Sequence, residues 1–402
     1  MAVRYGPGKK AKAKQQQEPS KKLLHSVNLR DFLSYGGSGE KILLEPLNVV
    51  IGPNGAGKSS LIEAFDLLKA TRSDLSLRIS RGGGAGEWLW KGAAATPKAR
   101  IEASVEYPAK PTLSYSLEFS VLDEGTGITH ERIWDESKVF YDGRPGNPDY
   151  TPMRMAAAGH GLLPRSDDPR QSILSQLREP RQHSEITYLG DMFSKIAIFR
   201  LQDLSVGTTL RRSQPTDLPK DFLLEDASNL ALILNDFDHR RAPLDEVREK
   251  LKSFNPLIED LRLSVYAGAI QVFIYERGFT SPVPAARLSD GTLRYLCLLT
   301  LLCHPDPPPL LCIEEPEIGL HPDVLPTVAE LLVAASQRTQ LVVTTHSDAL
   351  VSALSETPES ILVCERLKSG TDLRHLDPKQ LEEWLEKYSL GDLWRMGEIG
   401  GN

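Results

Sequence analysis

The sequence predicts an α/β protein built around a parallel sheet, and two stretches support this prediction. An apolar run at residues 47–51 precedes a glycine-rich turn, and residues 58–69 then show helical spacing of apolar side chains. Two further apolar runs of buried-strand length, at 310–313 and 341–345, flank a helical pattern at 328–335. Strands separated by a helix at this spacing are expected to lie parallel and to be joined by a right-handed crossover.

The glycine-rich turn fits the pattern G-x-x-x-x-G-K-S/T of a phosphate-binding loop. Glycine allows close backbone approaches, so successive N–H groups can point at phosphates beside a helix N-terminus. Lys58 is expected to reach the β- and γ-phosphates, and the Ser59 hydroxyl to bind Mg²⁺. A turn that carries Lys-Ser by coincidence is the alternative, and the flanking strand and helix argue against it. The predicted phosphate-binding residues are Gly52, Pro53, Asn54, Gly55, Ala56, Gly57, Lys58, Ser59 and Ser60.

The composition of the 402 residues is ordinary for a globular chain, long enough for several domains or for one large split domain. No apolar run approaches the ~20 residues of a membrane-spanning helix, so we expect no contact with a membrane. Residues 1–22 lack the apolar stretch of a secretory signal. The four cysteines lie in apolar runs without metal-ligand spacing, which favours reduced core residues of a cytoplasmic protein.

Charge is distributed unevenly along the chain. The net charge of −7 does not favour general binding to nucleic acid, yet residues 1–22 carry seven lysines and arginines against a single glutamate. Two interpretations remain open for this basic stretch: a solvated, disordered tail, or an arm that tethers DNA or RNA.

The pattern between these motifs predicts four regions: a basic disordered tail (1–22), an N-terminal lobe with the phosphate loop and an antiparallel β arm (23–205), a mainly helical middle segment with a β-hairpin (206–284), and a C-terminal lobe (285–402). Residues 23–35 and 41–51 are interpreted as two strands leading into the loop, and 72–97 as a glycine-rich linker. Period-two alternation predicts the antiparallel arm over 100–143. The remaining expected elements are a long loop at 143–170, mainly helix ending in a short strand at 172–199, helices at 229–237 and 244–254, a hairpin at 261–276, a buried helix at 292–303, a strand at 361–364 and a closing helix at 378–388.

Two acidic residues follow a buried strand in the C-terminal lobe. Residues 310–313 lead directly into Glu314 and Glu315, and buried carboxylates without partners are strongly disfavoured unless they are used. Next to Mg²⁺, one acid can hold the ion through water while the other orients or deprotonates the attacking water. His346 ends the neighbouring strand and could reach a γ-phosphate. The alternatives are acids that cap the following turn and a histidine bonded to backbone.

These motifs resemble those of the ABC-type ATPases. The sequence LSDGT at 288–292 resembles the signature motif of that family, EEPEIGLHP resembles its Walker B and D-loop, and TTHS resembles its H-loop, in the order that the family uses. The opening NLRDFLSY and the closing YSLGDLWRMGEIGGN are most similar to the RecF/SMC/OLD-like branch, the AAA-21 ATPases. The resemblance implies the α/β fold of an ABC-type ATPase head with ATP and Mg²⁺ as ligands.

The resemblance also implies roles for individual residues. Glu314 takes the place of the usual Mg²⁺-linked aspartate, Glu315 that of the catalytic base, and His346 that of the switch histidine. A further metal ligand, the Q-loop glutamine, is not clearly marked, and Gln202 is the candidate. The D-loop would contain Gly319, Leu320 and His321, and the signature residues Ser289, Asp290 and Gly291 would face ATP held by a second subunit, with an ordinary serine N-cap as the alternative.

The resulting hypothesis is an ATP-driven dimerisation switch that hydrolyses ATP, with a homodimer as the working form and a role in DNA repair or in defence against mobile elements. DNA and an effector protein are the candidate partners. A non-hydrolysing nucleotide sensor that docks an effector is the main alternative. A P-loop kinase would leave the signature motif and His346 unexplained, and a membrane-transporter ATPase is disfavoured by the long arm and middle insertions.

Overall fold

The structure is a computed structural model that describes residues 22–39, 41–92, 97–122, 125–144, 168, 170–200, 204–205 and 207–401. Most of the predicted basic tail and of the predicted long loop lies outside these residues, as does Gln202. Within the described part of the chain, no helix is long and apolar enough to cross a membrane.

The described residues form sixteen strands and twelve α-helices. The strands are β1 (Leu24–Arg30), β2 (Lys41–Leu43), β3 (Leu47–Ile51), β4 (Ala99–Val105), β5 (Leu113–Leu122), β6 (Gly125–Trp134), β7 (Val139–Gly143), β8 (Ala197–Phe199), β9 (Gln214–Pro215), β10 (Ile258–Tyr266), β11 (Ala269–Glu276), β12 (Val283–Pro284), β13 (Leu310–Glu314), β14 (Gln340–Thr344), β15 (Ile361–Leu367) and β16 (Gly370–His375). The helices are α1 (Lys58–Ala70), α2 (Leu75–Arg81), α3 (Ala85–Trp88), α4 (Ile173–Gln176), α5 (Ser184–Ser194), α6 (Leu230–Arg240), α7 (Ala242–Phe254), α8 (Asp290–Leu302), α9 (Leu325–Ala335), α10 (Asp348–Ser352), α11 (Pro378–Leu385) and α12 (Leu390–Met396).

A six-stranded, mainly parallel sheet lies at the centre, with the strand order β16-β15-β3-β14-β13-β8. β14 pairs in parallel with β3 on one side and β13 on the other, and only β16 runs antiparallel to its neighbour. All five residues of β3 and of β14 are buried, as expected of parallel strands covered on both faces. The predicted parallel arrangement of the runs at 310–313 and 341–345 is therefore confirmed, and β3 lies parallel beside them, so segments from both ends of the chain are side by side.

The two faces of this sheet belong to different hydrophobic cores. Alternate side chains such as Val49 and Val343 point into the core that contains α8, α9 and the middle helices. Most residues of α8 are buried in this core, which confirms the buried helix predicted at 292–303. Their neighbours Val50 and Val342 point into the other core, which contains α1 and the antiparallel sheet. The period-two geometry of a strand thus lets one short sheet support two layers.

The antiparallel arm is confirmed, but its membership differs from the prediction. Its strand order is β2-β1-β4-β5-β6-β7, so β1 and β2 join the arm, and only β3 enters the parallel sheet. The interpretation of 41–51 as one strand is wrong because the chain changes sheets at Pro46, which has no N–H for a ladder and whose carbonyl accepts from Leu341 N at 2.8 Å.

The interpretation of 72–97 as a linker is wrong over 75–88, which contains α2 and α3. Asp74 caps α2 by accepting from Leu77 N, and Leu75 and Ile79, four residues apart, bury one helix face. The glycine cluster forms the turn between the helices, where Gly83 and Gly84 have positive φ. The glycines favour a linker, but the short apolar pattern of Leu75 and Ile79 before them forms a helix.

The middle of the chain combines two helices with a small sheet. α6 and α7 confirm the predicted helices, and β10 and β11 confirm the hairpin, which turns at Ala267 and Gly268, both with positive φ. The predicted strand at the end of 172–199 is β8, at the edge of the parallel sheet beside β13. β15 and α11 confirm the strand and the helix predicted near the C-terminus.

Candidate functional site

The phosphate-binding loop connects β3 to α1 and depends on its glycines. Gly52, Gly55 and Gly57 have φ values of 151°, 77° and 123°. A Cβ on Gly57 would lie 2.4 Å from Thr371 Oγ1, and one on Gly52 would lie 2.2 Å from the carbonyl oxygen of Cys364. A Cβ on Gly55 would meet no described residue within 4 Å, whereas those on Gly52 and Gly57 would meet packed atoms. Among the described residues no side chain caps α1, which leaves its first N–H groups for an anion.

The Lys58 side chain lies within this loop. Its ammonium group donates to the carbonyls of Gly52 at 2.6 Å and Pro53 at 3.1 Å. Burial lowers the pKa of Lys58, while Cys364, Glu315 and Glu317 act in the opposite direction. The two glutamates thus favour the charged form of Lys58, and the parallel pairing of β3, β14 and β13 puts the loop and the end of β13 at the same edge of the sheet.

Three residues that sequence reasoning missed support the loop from behind. Thr371 Oγ1, at the start of β16, donates to Ala56 O at 2.6 Å and lies 2.8 Å from Ser34 Oγ. The hydroxyl of the buried Tyr35 donates to Gly57 O at 3.2 Å, and burial raises the pKa of this phenol. By holding these carbonyls, the hydroxyls orient the peptide units whose N–H groups face the other way. No local pattern marks Thr371, because it lies far along the chain from the loop.

The end of β13 brings the second acidic residue next to the histidine of the neighbouring strand. Glu315 N donates to Thr344 O at 2.9 Å, and Glu315 has a φ of 47°, which is uncommon for a residue with a side chain. His346 Nε2 lies 3.8 Å from Glu315 Oε1, and the two side chains are 37% and 39% exposed. This pair is accessible to water, as a group that positions or deprotonates a water molecule must be.

Glu317 positions the histidine loop, and the sequence analysis assigned it no role. Its Oε1 accepts from Thr345 Oγ1 at 2.8 Å and from the backbone N–H of His346 at 2.7 Å. Its buried Oε2 has no hydrogen-bond partner among the described residues. A glutamate two residues after the predicted base was the available signal, but its partner lies on a different strand.

Glu314 points into a charged network instead of standing alone. Its carboxylate pairs with Arg200, which follows β8, and the same guanidinium lies 3.2 Å from Glu63 and 3.8 Å from Asp66 of α1. Burial acts to lower the pKa of Arg200, but hydrogen bonding and attraction to Glu314 and the other carboxylates raise it. Burial raises the pKa of Glu63. Sequence reasoning missed Arg200, which shows no motif of its own.

The predicted signature residues form the start of α8. Ser289 is the N-cap of α8, and its hydroxyl accepts from Thr292 N at 3.1 Å. In this structure Ser289 therefore acts as the ordinary serine N-cap that was the alternative interpretation. The exposed Asp290 pairs with the buried Arg211, which also donates to Leu288 O at 2.7 Å. Arg211 thus braces the residues on either side of Ser289, a role that the sequence analysis did not predict.

The predicted D-loop lies against the signature residues. A Cβ on Gly291 would come within 2.8 Å of Gly319 O, so only glycine allows this approach, and Gly319 itself has a φ of 73°. Leu320 is partly buried, and the exposed His321 accepts from Asp323 N at 3.3 Å to cap a short 3-10 helix. The structure brings Gly291 and Gly319 together.

The oxygen donors of the site suit Mg²⁺. Ser59 is exposed in the first turn of α1, and the Glu314 carboxylate lies at the tip of β13. The described residues contain no group of three or more histidine, cysteine or acidic side chains able to hold a metal unaided. Mg²⁺ is usually held by one or two protein oxygens together with substrate phosphates, so this sparse donor set fits the ion when nucleotide is bound.

The fold and the loop define a P-loop ATPase domain. The chain belongs to the family described as "AAA domain, putative AbiEii toxin, Type IV TA system", whose model matches residues 47–352. It is 38% identical over 104 residues to the DNA replication and repair protein RecF of Chloroflexus aggregans (strain MD-66 / DSM 9485), a match that spans only a quarter of each chain.

The fold itself is similar to solved SMC head domains. An SmcHead bound to the C-winged helix domain of ScpA matches with a TM-score of 0.58 and 14% identity, over 89% of this chain and 99% of that one. An Smc head domain with an extended coiled coil, bound to the C-terminal domain of ScpA derived from Pyrococcus furiosus, matches with a TM-score of 0.56 and 15% identity, over 91% and 99%. At these identities the likeness concerns the fold.

Proposed function

We propose that this chain binds ATP with Mg²⁺, hydrolyses it, and uses the cycle to join and release two copies of itself. The observation that carries the proposal is that the phosphate-binding loop, Glu315 and His346 follow the ends of β3, β13 and β14, which are neighbouring parallel strands of one sheet. Lys58 and the first N–H groups of α1 would hold the phosphates. Ser59 and Glu314 would hold Mg²⁺, which would neutralise charge at the phosphates.

Within this proposal, Glu315 accepts a proton from the attacking water and His346 hydrogen-bonds near the γ-phosphate. At their separation of 3.8 Å, one water molecule lying beside the pair could contact both groups. Replacing Glu315 by Gln keeps the shape and removes the base. We expect the variant to bind ATP with little change and to lose most of its turnover, measured as phosphate release. Unchanged turnover would exclude Glu315 as the base.

Dimerisation is proposed because the signature residues lie at a helix N-terminus that also contacts the D-loop. Asp290 is exposed there, and Gly291 packs on Gly319. In a dimer this N-terminus would face the phosphates of the second copy. Turnover per subunit should rise with protein concentration, and Ser289→Arg should abolish turnover without loss of ATP binding. Turnover that is strictly linear in subunit concentration and intact in Ser289→Arg would contradict the dimer.

A second candidate function is a nucleotide sensor that binds ATP without hydrolysing it and docks an effector protein. The longer acid at Glu314, where the ABC-type ATPases usually have an aspartate, favours this alternative because it changes the geometry available to Mg²⁺. Steady-state phosphate release separates the two candidates. A chain that binds ATP, releases no phosphate above background and forms a nucleotide-dependent complex would be the sensor.

DNA is the proposed partner of the hydrolysing form, in repair or in defence against mobile elements. Support comes from the partial match to RecF, named a DNA replication and repair protein, and from the basic residues 1–22. We expect DNA binding that weakens steeply with salt and that disappears when residues 1–22 are deleted. No binding at low salt, with and without ATP, would exclude this partner.

A further inference from the structure

We propose that Arg200 is a positioning residue that sets the Glu314 carboxylate for Mg²⁺ and ties it to the helix of the phosphate-binding loop. This inference rests on the proposed function, because it concerns the metal of the same site. It adds a residue that lies outside every motif and that reaches the site from the edge strand of the parallel sheet.

Arg200 and Glu314 form an ion pair at the end of β13. Arg200 Nε donates to Glu314 Oε1, and within the described part of the chain this is the one hydrogen bond of the Glu314 carboxylate. Oε2 therefore has no hydrogen-bond partner there and could accept from a water molecule of the metal. Glu314 is mostly buried, so a charge-assisted hydrogen bond here is stronger than it would be in water.

Glu314 is longer by one methylene group than the aspartate it replaces. The ABC-type ATPases usually place an aspartate at this position, and a glutamate has one more rotatable bond. A longer side chain loses more conformational freedom when its carboxylate is fixed for a metal. The hydrogen bond from Arg200 removes that freedom before the metal binds. The arginine thus explains how a glutamate can replace the shorter acid.

Arg200 also links Glu314 to α1. The other guanidinium nitrogens lie 3.2 Å from Glu63 and 3.8 Å from Asp66, and Asp66 also receives a hydrogen bond of 2.7 Å from Arg78. Three carboxylates thus share two arginines between the end of β13 and the helix that begins with Lys58. A guanidinium can bridge several carboxylates with separate N–H groups, whereas a lysine ammonium is a single compact charge. Arg200 therefore fixes the distance between the metal acid and the helix that carries Ser59.

The experiment measures the Mg²⁺ dependence of nucleotide binding rather than turnover. A fluorescent, non-hydrolysable ATP analogue is titrated in EDTA and then at rising Mg²⁺, with the wild type, Arg200→Ala, Arg200→Lys and Glu314→Gln. We expect Arg200→Ala to bind the analogue normally in EDTA and to require about tenfold more Mg²⁺ for half of the metal-dependent gain, since residues that orient metal ligands typically contribute 10–100-fold to metal affinity. Arg200→Lys should recover only part of this loss.

The double variant provides the control for a role through Glu314. Because Arg200 acts on that carboxylate, combining Arg200→Ala with Glu314→Gln should shift the Mg²⁺ midpoint no further than Glu314→Gln alone. A normal or lowered midpoint in Arg200→Ala, or a loss of affinity equal in EDTA and in Mg²⁺, would overturn the inference and leave Arg200 a structural residue. A wild type that binds no nucleotide would instead refute the proposed function and remove the basis of the inference.

Discussion

The carboxylate of Glu317 accepts a hydrogen bond of 2.7 Å from the backbone N–H of His346, and a second from the hydroxyl of Thr345 at 2.8 Å. This contact crosses from the turn after β13 to the end of β14. It fixes the backbone of His346 relative to the turn after β13. That turn also contains Glu315, the predicted base, two residues before Glu317. The geometry of the Glu315–His346 pair therefore depends on a residue whose hydrogen bonds go to Thr345 and to the backbone of His346.

Replacing Glu317 by Ala should lower turnover far more than nucleotide affinity. The change removes two hydrogen bonds to a charged group, each worth about 1.5–3 kcal/mol, and frees the histidine loop. We expect turnover to fall by at least about tenfold, with analogue binding changed less than about threefold. Glu317→Gln keeps an acceptor oxygen and serves as the matched control. Equal losses of binding and turnover in Glu317→Ala would indicate general damage to the site.

Replacing Thr371 by Val should weaken nucleotide binding because it removes the donor that holds Ala56 O at 2.6 Å while keeping the side-chain shape. A buried acceptor without its partner costs about 1–3 kcal/mol, so we expect affinity for the ATP analogue to fall by about 5- to 100-fold. Thr371→Ser keeps the hydroxyl and should bind normally. The measurement is a fluorescence titration, with thermal unfolding of both variants as the control for folding. Normal affinity in Thr371→Val would show that the loop holds its shape without this contact.

Gly57→Ala and Gly55→Ala form a contrasting pair in the phosphate loop. The first puts a Cβ 2.4 Å from Thr371 Oγ1 and 2.5 Å from Ser34 Oγ, whereas the second finds open space. Both positions have positive φ, which costs an alanine about 1–2 kcal/mol. We expect Gly55→Ala to fold with a small loss of thermal stability, and Gly57→Ala to lose several times more and to bind no ATP analogue. Equal losses of stability would contradict the close packing behind the loop.

Two carboxylates of the antiparallel sheet should give stability opposite dependences on pH. Glu131 is fully buried, accepts from Ile173 N at 2.9 Å and from Tyr115 at 2.7 Å, and has its pKa raised by burial. Burial also acts to raise the pKa of Glu118, but hydrogen bonds from Arg100 and Thr129 overcome it and lower that pKa.

A raised pKa in the folded state means that the contribution of Glu131 is complete below the ordinary carboxyl value of 4.5 and is lost as pH rises through the folded pKa. A lowered pKa means that the contribution of Glu118 is present above 4.5 and is lost as pH falls. The unfolding free energy of the wild type relative to Glu131→Gln should therefore decrease with rising pH. The same difference for Glu118→Gln should increase. Urea unfolding from about pH 3 to about pH 8 covers both ranges, and slopes of the same sign would contradict the assignment.

Much of the fold could be predicted because its signals are local. The apolar runs that became β3, β13 and β14, the period-two alternation of the arm and the hairpin at Gly268 each depend on neighbours in the chain. The errors occurred where local signals conflict. At 41–51 one apolar stretch divides between two sheets at Pro46, and at 72–97 a glycine cluster concealed the helix that Asp74 begins.

The sequence by itself determined the phosphate loop, the acids and histidine at the ends of two buried strands, and the Ser-Asp-Gly at the start of α8, because each is a short run whose conformation follows from its own residues. Only the tertiary structure decided that Arg200 meets Glu314, that Thr371 holds the loop and that Glu317 holds His346. These contacts depend on the order of strands in the parallel sheet. Strand order is set by how two cores fill the opposite faces of that sheet, and no single stretch of sequence encodes it.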